Sequence, residues 1–228
     1  MLRRRIHSRI LHRAPLSAVL FDWDGTLLDS FRADSYAYVQ MFRAMGIAWG
    51  EEELRRHYSP NWHHLYLLAG LPQERWEEAD RIWRKHYAET QPELLPGARE
   101  VLNRLARRYT LALVTSGSRD RVQRQLQRFG MNQMFAARVF AESTRMRKPH
   151  PAPIQLALQR LGLRPESCAY VGDSAEDICM SHRARVPAIA VLGSFPTHER
   201  VRAARPEVTL RSIRELPRAI DGWVDRKP

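Results

Sequence analysis

The chain has 228 residues, 44% of them hydrophobic, which is enough to fill an α/β core with a smaller inserted unit and argues against disorder. With 37 Lys and Arg against 25 Asp and Glu the formal net charge is +12, but only Lys85, Lys148 and Lys227 are lysines. The excess therefore reads as arginine spread over solvated helix faces, and no basic run beyond the first residues is interleaved with aromatics as a nucleic-acid groove requires.

Residues 1–15 carry Arg3, Arg4, Arg5, Arg9 and Arg13 and no acid. No hydrophobic signal core follows, so a flexible basic tail is expected rather than a transit peptide or a nucleic-acid arm. Ser17–Phe21 reads as a buried strand whose apolar run ends at Asp22, with Asp24, Gly25 and Thr26 directly behind. A parallel strand ends where α/β proteins bind ligands, and two carboxylates crowded there need a cation.

Phe31–Met45, with Tyr36, Val39, Phe42 and Met45 at helical spacing, predicts a helix, as do Glu51–His57, Trp62–Ala69 and Gln73–Tyr87. Nothing between 31 and 94 reads as a strand. From Pro96-Gly97 the rhythm becomes strand and helix in alternation. Helices are predicted over Ala98–Arg107, Arg119–Phe129, Pro153–Leu161, Ala175–Arg185 and Ser212–Ala219; strands over Thr110–Val114, Ala137–Ala141, Cys168–Val171 and Ala188–Leu192. The expected architecture is a Rossmann-like parallel sheet with helices on both faces, formed by residues 16–30 and 95–228, with a helical insert at 31–94.

No apolar stretch is long enough to span a bilayer, and Cys168 and Cys179 make neither a disulfide framework nor a metal site. A soluble cytoplasmic protein is expected. At further strand ends stand Thr115-Ser116-Gly117-Ser118, Lys148-Pro149-His150-Pro151 and Gly172-Asp173-Ser174, with Glu176 and Asp177 beyond. If the strands are parallel, all emerge on the edge that carries Asp22.

Asp22-x-Asp24-Gly25-Thr26, a strand-end hydroxyl, Lys148-Pro-x-Pro and Gly172-Asp173-x-x-x-Asp177, in this order, resemble the four motifs of the haloacid dehalogenase (HAD) superfamily. The helical insert is similar to the C1-type cap of its phosphoglycolate phosphatase and β-phosphoglucomutase branch. The resemblance covers residues 17–195. It implies a nucleophile at Asp22, a general acid and base at Asp24, and a Mg²⁺ site made of Asp22, the main-chain carbonyl of Asp24 and Asp173. Thr115, Ser116 and Gly117 would hold phosphoryl oxygens, and Lys148 would offset charge on the nucleophile. Asp177 stays open between orienting that centre and capping a helix, while Glu176 reads as solvated.

In the insert, Asn61, Trp62 and His63 are candidate substrate contacts and Arg55 or Arg56 a candidate anionic grip, although each also reads as packing or as solvated surface. The tryptophans read as packing. Asp24 argues against dehalogenase chemistry. Phosphonate hydrolysis needs a cap lysine in its relatives, and Lys85, the only lysine of the insert, comes late in it. With no recognisable second phosphate site, the expectation is a phosphatase, monomeric, acting on a small phosphorylated metabolite. A mutase of the β-phosphoglucomutase type is the alternative, and a nucleic-acid end-processing phosphatase a more distant one.

Overall fold

A computed structural model describes residues 15–224, so all but the last residue of the expected basic tail lies outside the described residues. Among the described residues, six strands form one parallel sheet: β1 (Ala18–Phe21), β2 (Thr110–Val114), β3 (Ala137–Val139), β4 (Cys168–Gly172), β5 (Ala188–Val191) and β6 (Val208–Leu210). Their order is β3-β2-β1-β4-β5-β6.

Side chains alternate across the sheet because successive Cβ atoms point to opposite faces. Val19 and Phe21 enter one core with residues of α5 (Ala98–Ala106), α6 (Arg119–Arg128) and α10 (Leu216–Val224). Ala18 and Leu20 enter the other with residues of α7 (Ala152–Leu161) and α8 (Ala175–Arg183). Both faces are thus covered, which is why the central strands are apolar throughout. No described helix is long and apolar enough to cross a membrane.

The register sets the functional edge. Phe21 lies beside Leu113 on one side and Val171 on the other, so the residues that follow these three emerge in one row. The Asp22 amide still donates to the Val171 carbonyl at 2.9 Å, carrying the ladder one residue past the strand. Strand order reverses its direction of growth between β1 and β4, the switch point at which open α/β sheets leave a crevice.

Four helices follow β1 before α5: α1 (Phe31–Ala44), α2 (Glu51–His57), α3 (Trp62–Leu68) and α4 (Trp76–Ala88). They gather round their own apolar cluster, including Met41, Phe42, Leu54, Leu65 and Tyr66, to which Phe195 from the sheet side is added. Trp49, Trp62, Trp76 and Trp83 pack against that cluster, as expected for packing tryptophans. The chain enters and leaves this unit at one point. Leu28 and Leu94 form an isolated antiparallel bridge, and the Asp29 amide donates to the Glu93 carbonyl at 2.8 Å.

The structure departs from the sequence reading in the second half of the chain. Strand β3 stops at Val139, and Ala141–Ser143 turn as a 3₁₀ segment. Helix α8 ends at Arg183, because Arg185 takes a left-handed φ of 60°. A helix α9 (His198–Ala203) and strand β6 were not expected, and the closing helix begins at Leu216 after a 3₁₀ turn over Ile213–Glu215.

Candidate active site

Asp22, the first residue beyond β1, is buried and meets Lys148 Nζ at 2.6 Å. The same ammonium lies 2.7 Å from Asp177 Oδ1, and Lys148 is only 2% exposed. Asp177 is held from every side. The Tyr170 hydroxyl donates to its Oδ1 at 2.8 Å, while the Ser174 amide and hydroxyl donate to its Oδ2 at 3.1 and 2.6 Å. Both of its oxygens are engaged, so Asp177 pairs with Lys148 and also closes the helix α8 capping box, the second of the two readings the sequence left open.

Asp173 follows β4 and packs onto the turn after Asp22. The Thr26 hydroxyl donates to its Oδ1 at 3.0 Å and the Thr197 hydroxyl to its carbonyl at 2.8 Å. Gly25 makes that packing possible: its φ is +77°, and a Cβ there would lie 2.1 Å from Asp173 Oδ2.

Oxygens of Asp22, Asp173 and Asp177 lie within 4.8 Å of one another, all buried, with one lysine to balance three carboxylates. Burial pushes Asp22 up to about 7, with Asp177 and Asp24 adding to the shift and Lys148 opposing it. Asp173 is raised well above the ordinary carboxylate value by burial, Asp177 and Asp22. Burial acts to lower Lys148, but Asp177 and Asp22 outweigh it and keep its pKa raised. A centre with surplus buried carboxylate oxygen fits a hard divalent cation.

Thr115, one residue past β2, is buried, and its Oγ1 accepts from the Gly117 amide at 2.9 Å, curling the Thr115–Ser118 loop before α6. Gly117 leaves room for Arg121, whose Nη2 would be 2.6 Å from a Cβ at that position. Arg121 clasps Asp24 with two hydrogen bonds, Nη1 to Oδ1 at 2.9 Å and Nη2 to Oδ2 at 2.6 Å, and also reaches the Tyr87 hydroxyl at 3.2 Å. Burial alone would raise the Asp24 pKa; the Arg121 charge and hydrogen bonds overcome it and hold the group below its ordinary value. The expected acid and base is therefore an arginine-paired carboxylate in this state.

A cavity joins these groups to the helical unit. Asp22, Asp24, Thr115, Ser116, Gly117 and Asp173 line its floor, and Tyr38, Tyr58, Trp62, Tyr66 and Trp83 line its far side with Asp34, Asp80 and Arg84. Of the three contacts expected from the insert, Trp62 lines the cavity and Asn61 and His63 do not. Asn61 stands at the N-cap of α3, and His63 stacks on Trp76 at 4.5 Å, so neighbouring aromatic surface claims it. Arg55 and Arg56 are turned to solvent in pairs with Glu51 and Glu52 one helical turn away.

Glu176 is not solvated as expected. It is half-buried, and the Ser59 hydroxyl donates to its Oε1 at 2.8 Å, tying the loop before α3 to the first turn of α8. Sequence reasoning missed Arg121, Asp34, Asp80 and Arg84. Only the last pair left a local signal, one turn apart on α4 with Trp83 between them.

The family described as haloacid dehalogenase-like hydrolase matches residues 19–191. Pyrophosphatase PpaX of Oceanobacillus iheyensis is 26% identical over 208 residues, 88% of this chain and 95% of that protein. Phosphoglycolate phosphatase of Photorhabdus laumondii is 27% identical over 213 residues, 88% of this chain and 91% of that protein. The solved structure of CbbY from Rhodobacter sphaeroides in complex with phosphate has a TM-score of 0.74 at 26% identity, covering 88% of this chain and 96% of that one. A variant of CbbY was also solved with xylulose 1,5-bisphosphate.

Proposed function

Because the chain belongs to the haloacid dehalogenase-like hydrolases, we propose that it is a Mg²⁺-assisted phosphatase that hydrolyses a small phosphate monoester through an aspartyl-phosphate on Asp22. The observation that carries this reading is the Lys148 ammonium bridging Asp22 and Asp177 beside Asp173, at the edge where the Thr115 loop also emerges. Residues 16–30 and 95–228 are the catalytic body in this reading, and 31–94 the cap.

Asp22, Asp173 and the Asp24 carbonyl would hold Mg²⁺, which supplies positive charge against the phosphoryl group. Asp22 attacks phosphorus in line: a carboxylate O–P bond forms as the ester O–P bond breaks. Thr115, with the Ser116 amide, holds the equatorial oxygens, and Gly117 keeps that loop curled around them. Lys148 keeps the attacking carboxylate charged and aimed. The leaving alkoxide takes a proton from Asp24; water then attacks phosphorus, returns a proton to Asp24 and frees Asp22 with release of phosphate. Asp24 serves both halves with one carboxylate oxygen while the other stays on Arg121.

The test is the Asp22→Asn protein, assayed with p-nitrophenyl phosphate and Mg²⁺ and by intact mass after acid quench. Turnover falls by about three orders of magnitude or more and the phosphoryl adduct of the parent protein is lost. Persisting turnover or adduct overturns the assignment of Asp22.

A further inference from the structure

Beyond the phosphoryl end, the cavity runs into a wall of five aromatic side chains that also carries the carboxylates of Asp34 and Asp80. The Tyr66 hydroxyl donates to Asp80 Oδ1 at 2.8 Å, which fixes that carboxylate on the wall. Two arginines line the same space. Arg121 is committed, both of its terminal nitrogens being on Asp24. Arg84 is exposed and stands one helical turn after Asp80 on α4. Arg147, which lies over the Trp62 ring at 4.0 Å, is not part of the lining.

A second negative group on the substrate would thus have to be desolvated against the acidic side chains of Asp80 and Asp34 with one exposed arginine to meet it, a costly arrangement in a partly enclosed site. Hydroxyl or ammonium donors would instead find the carboxylates as acceptors and the rings as apolar or cation-accepting walls. Asp34 reports the same field: burial and the neighbouring Asp24 push it up to about 7 even though Arg121 opposes them.

We propose, resting on the phosphatase reading above, that this cavity selects phosphate monoesters whose alcohol carries hydrogen-bond donors and no second negative charge. Pyrophosphate, phosphoglycolate and xylulose bisphosphate, which appear in the names of similar proteins, each carry a second anion and are poor substrates here.

The experiment compares kcat/KM with Mg²⁺ for sn-glycerol 3-phosphate, O-phosphoethanolamine, 2-phosphoglycolate and pyrophosphate, with p-nitrophenyl phosphate as a common reference. At least one of the first two exceeds both of the next two by about tenfold or more, and the better of the pair says whether hydroxyl or ammonium is the preferred donor. Turnover of p-nitrophenyl phosphate with 2-phosphoglycolate or pyrophosphate equal or superior overturns the selectivity alone. No turnover of any ester, the reference included, overturns the phosphatase reading and the selectivity with it. In Asp80→Asn, whose amide oxygen can still accept from Tyr66, the ratio of 2-phosphoglycolate to glycerol phosphate rises about threefold or more. Because both rates come from one preparation, loss of folded protein cancels in the ratio, and an unchanged ratio overturns the role given to the acidic wall.

Discussion

Lys148 carries the charge balance of the buried centre, since it is in contact with two of the three carboxylates. Replacing it with methionine leaves Asp22 and Asp177 without their cation, at a cost of about 3–5 kcal/mol by the usual penalty for breaking a buried pair. Thermal unfolding of Lys148→Met without Mg²⁺ should show a lower Tm, with the deficit growing as pH rises and the acids ionise. Asp34 gives a second outcome. Its folded pKa of about 7 lies above the ordinary 3.8, so the folded state holds a proton that the unfolded chain has already released. Stability from this group is present below the ordinary value and is lost as pH climbs through about 7. Asp34→Asn should therefore raise Tm at both pH values, by on the order of 10 °C at pH 8 and by about a third to a half of that at pH 5. Equal gains at both pH values would refute the account. That Asp22, Thr115, Lys148 and Asp173 meet at one sheet edge was legible because Asp22, Thr115 and Asp173 follow local apolar runs and Lys148 opens a Lys-Pro-x-Pro motif. The Asp24–Arg121 clasp was not, because its partners are 97 residues apart, and the Ser59 contact that buries Glu176 spans 117.

At the level of elements, the tight turn after β1 is set by Gly25. Alanine there would need the same positive φ and would drive a methyl into Asp173 Oδ2. Gly25→Ala should raise the Mg²⁺ concentration for half-maximal activity about tenfold or more, read by titrating the metal at saturating ester. The loop ahead of α3 is seated on the sheet side by Ser59 on Glu176 and by the Tyr58 ring on Phe195, with centroids 4.6 Å apart. Ser59→Ala should raise KM several-fold with little change in kcat, as loss of a contact felt equally by ground and transition states. Helix α1, long and with a clear apolar period, and strand β1, an unbroken apolar run, could be read from sequence almost to their ends. Helix α9 could not, because His-Glu-Arg-Val-Arg-Ala buries only Val201 among its side chains. Strand β6 has three residues and one buried side chain, and pairing with β5 defines it where alternation does not.

For the whole molecule, a Mg²⁺ ion held as proposed above would make folding and ion binding one equilibrium. Mg²⁺ should raise Tm in proportion to the logarithm of its concentration above Kd, equivalent to about 2.7 kcal/mol at a hundred times Kd, and a chelator should reverse it. With raised pKa values at Asp22 and Asp173, the proposed ion would have to displace protons, so the gain should be larger at pH 8 than at pH 6. The fold class was readable because strand and helix signals alternate from residue 96 onward and no strand signal interrupts the insert. How the insert meets the sheet was not, since that depends on contacts between distant segments. The paired crossing at Leu28 and Leu94 carries a consequence for modularity. A segment whose two ends meet behaves as a plug on one socket: exchanging residues 30–92 for a relative's counterpart leaves every sheet pairing untouched. Such chimaeras should fold, keep the reaction of the recipient and inherit the substrate preference of the donor.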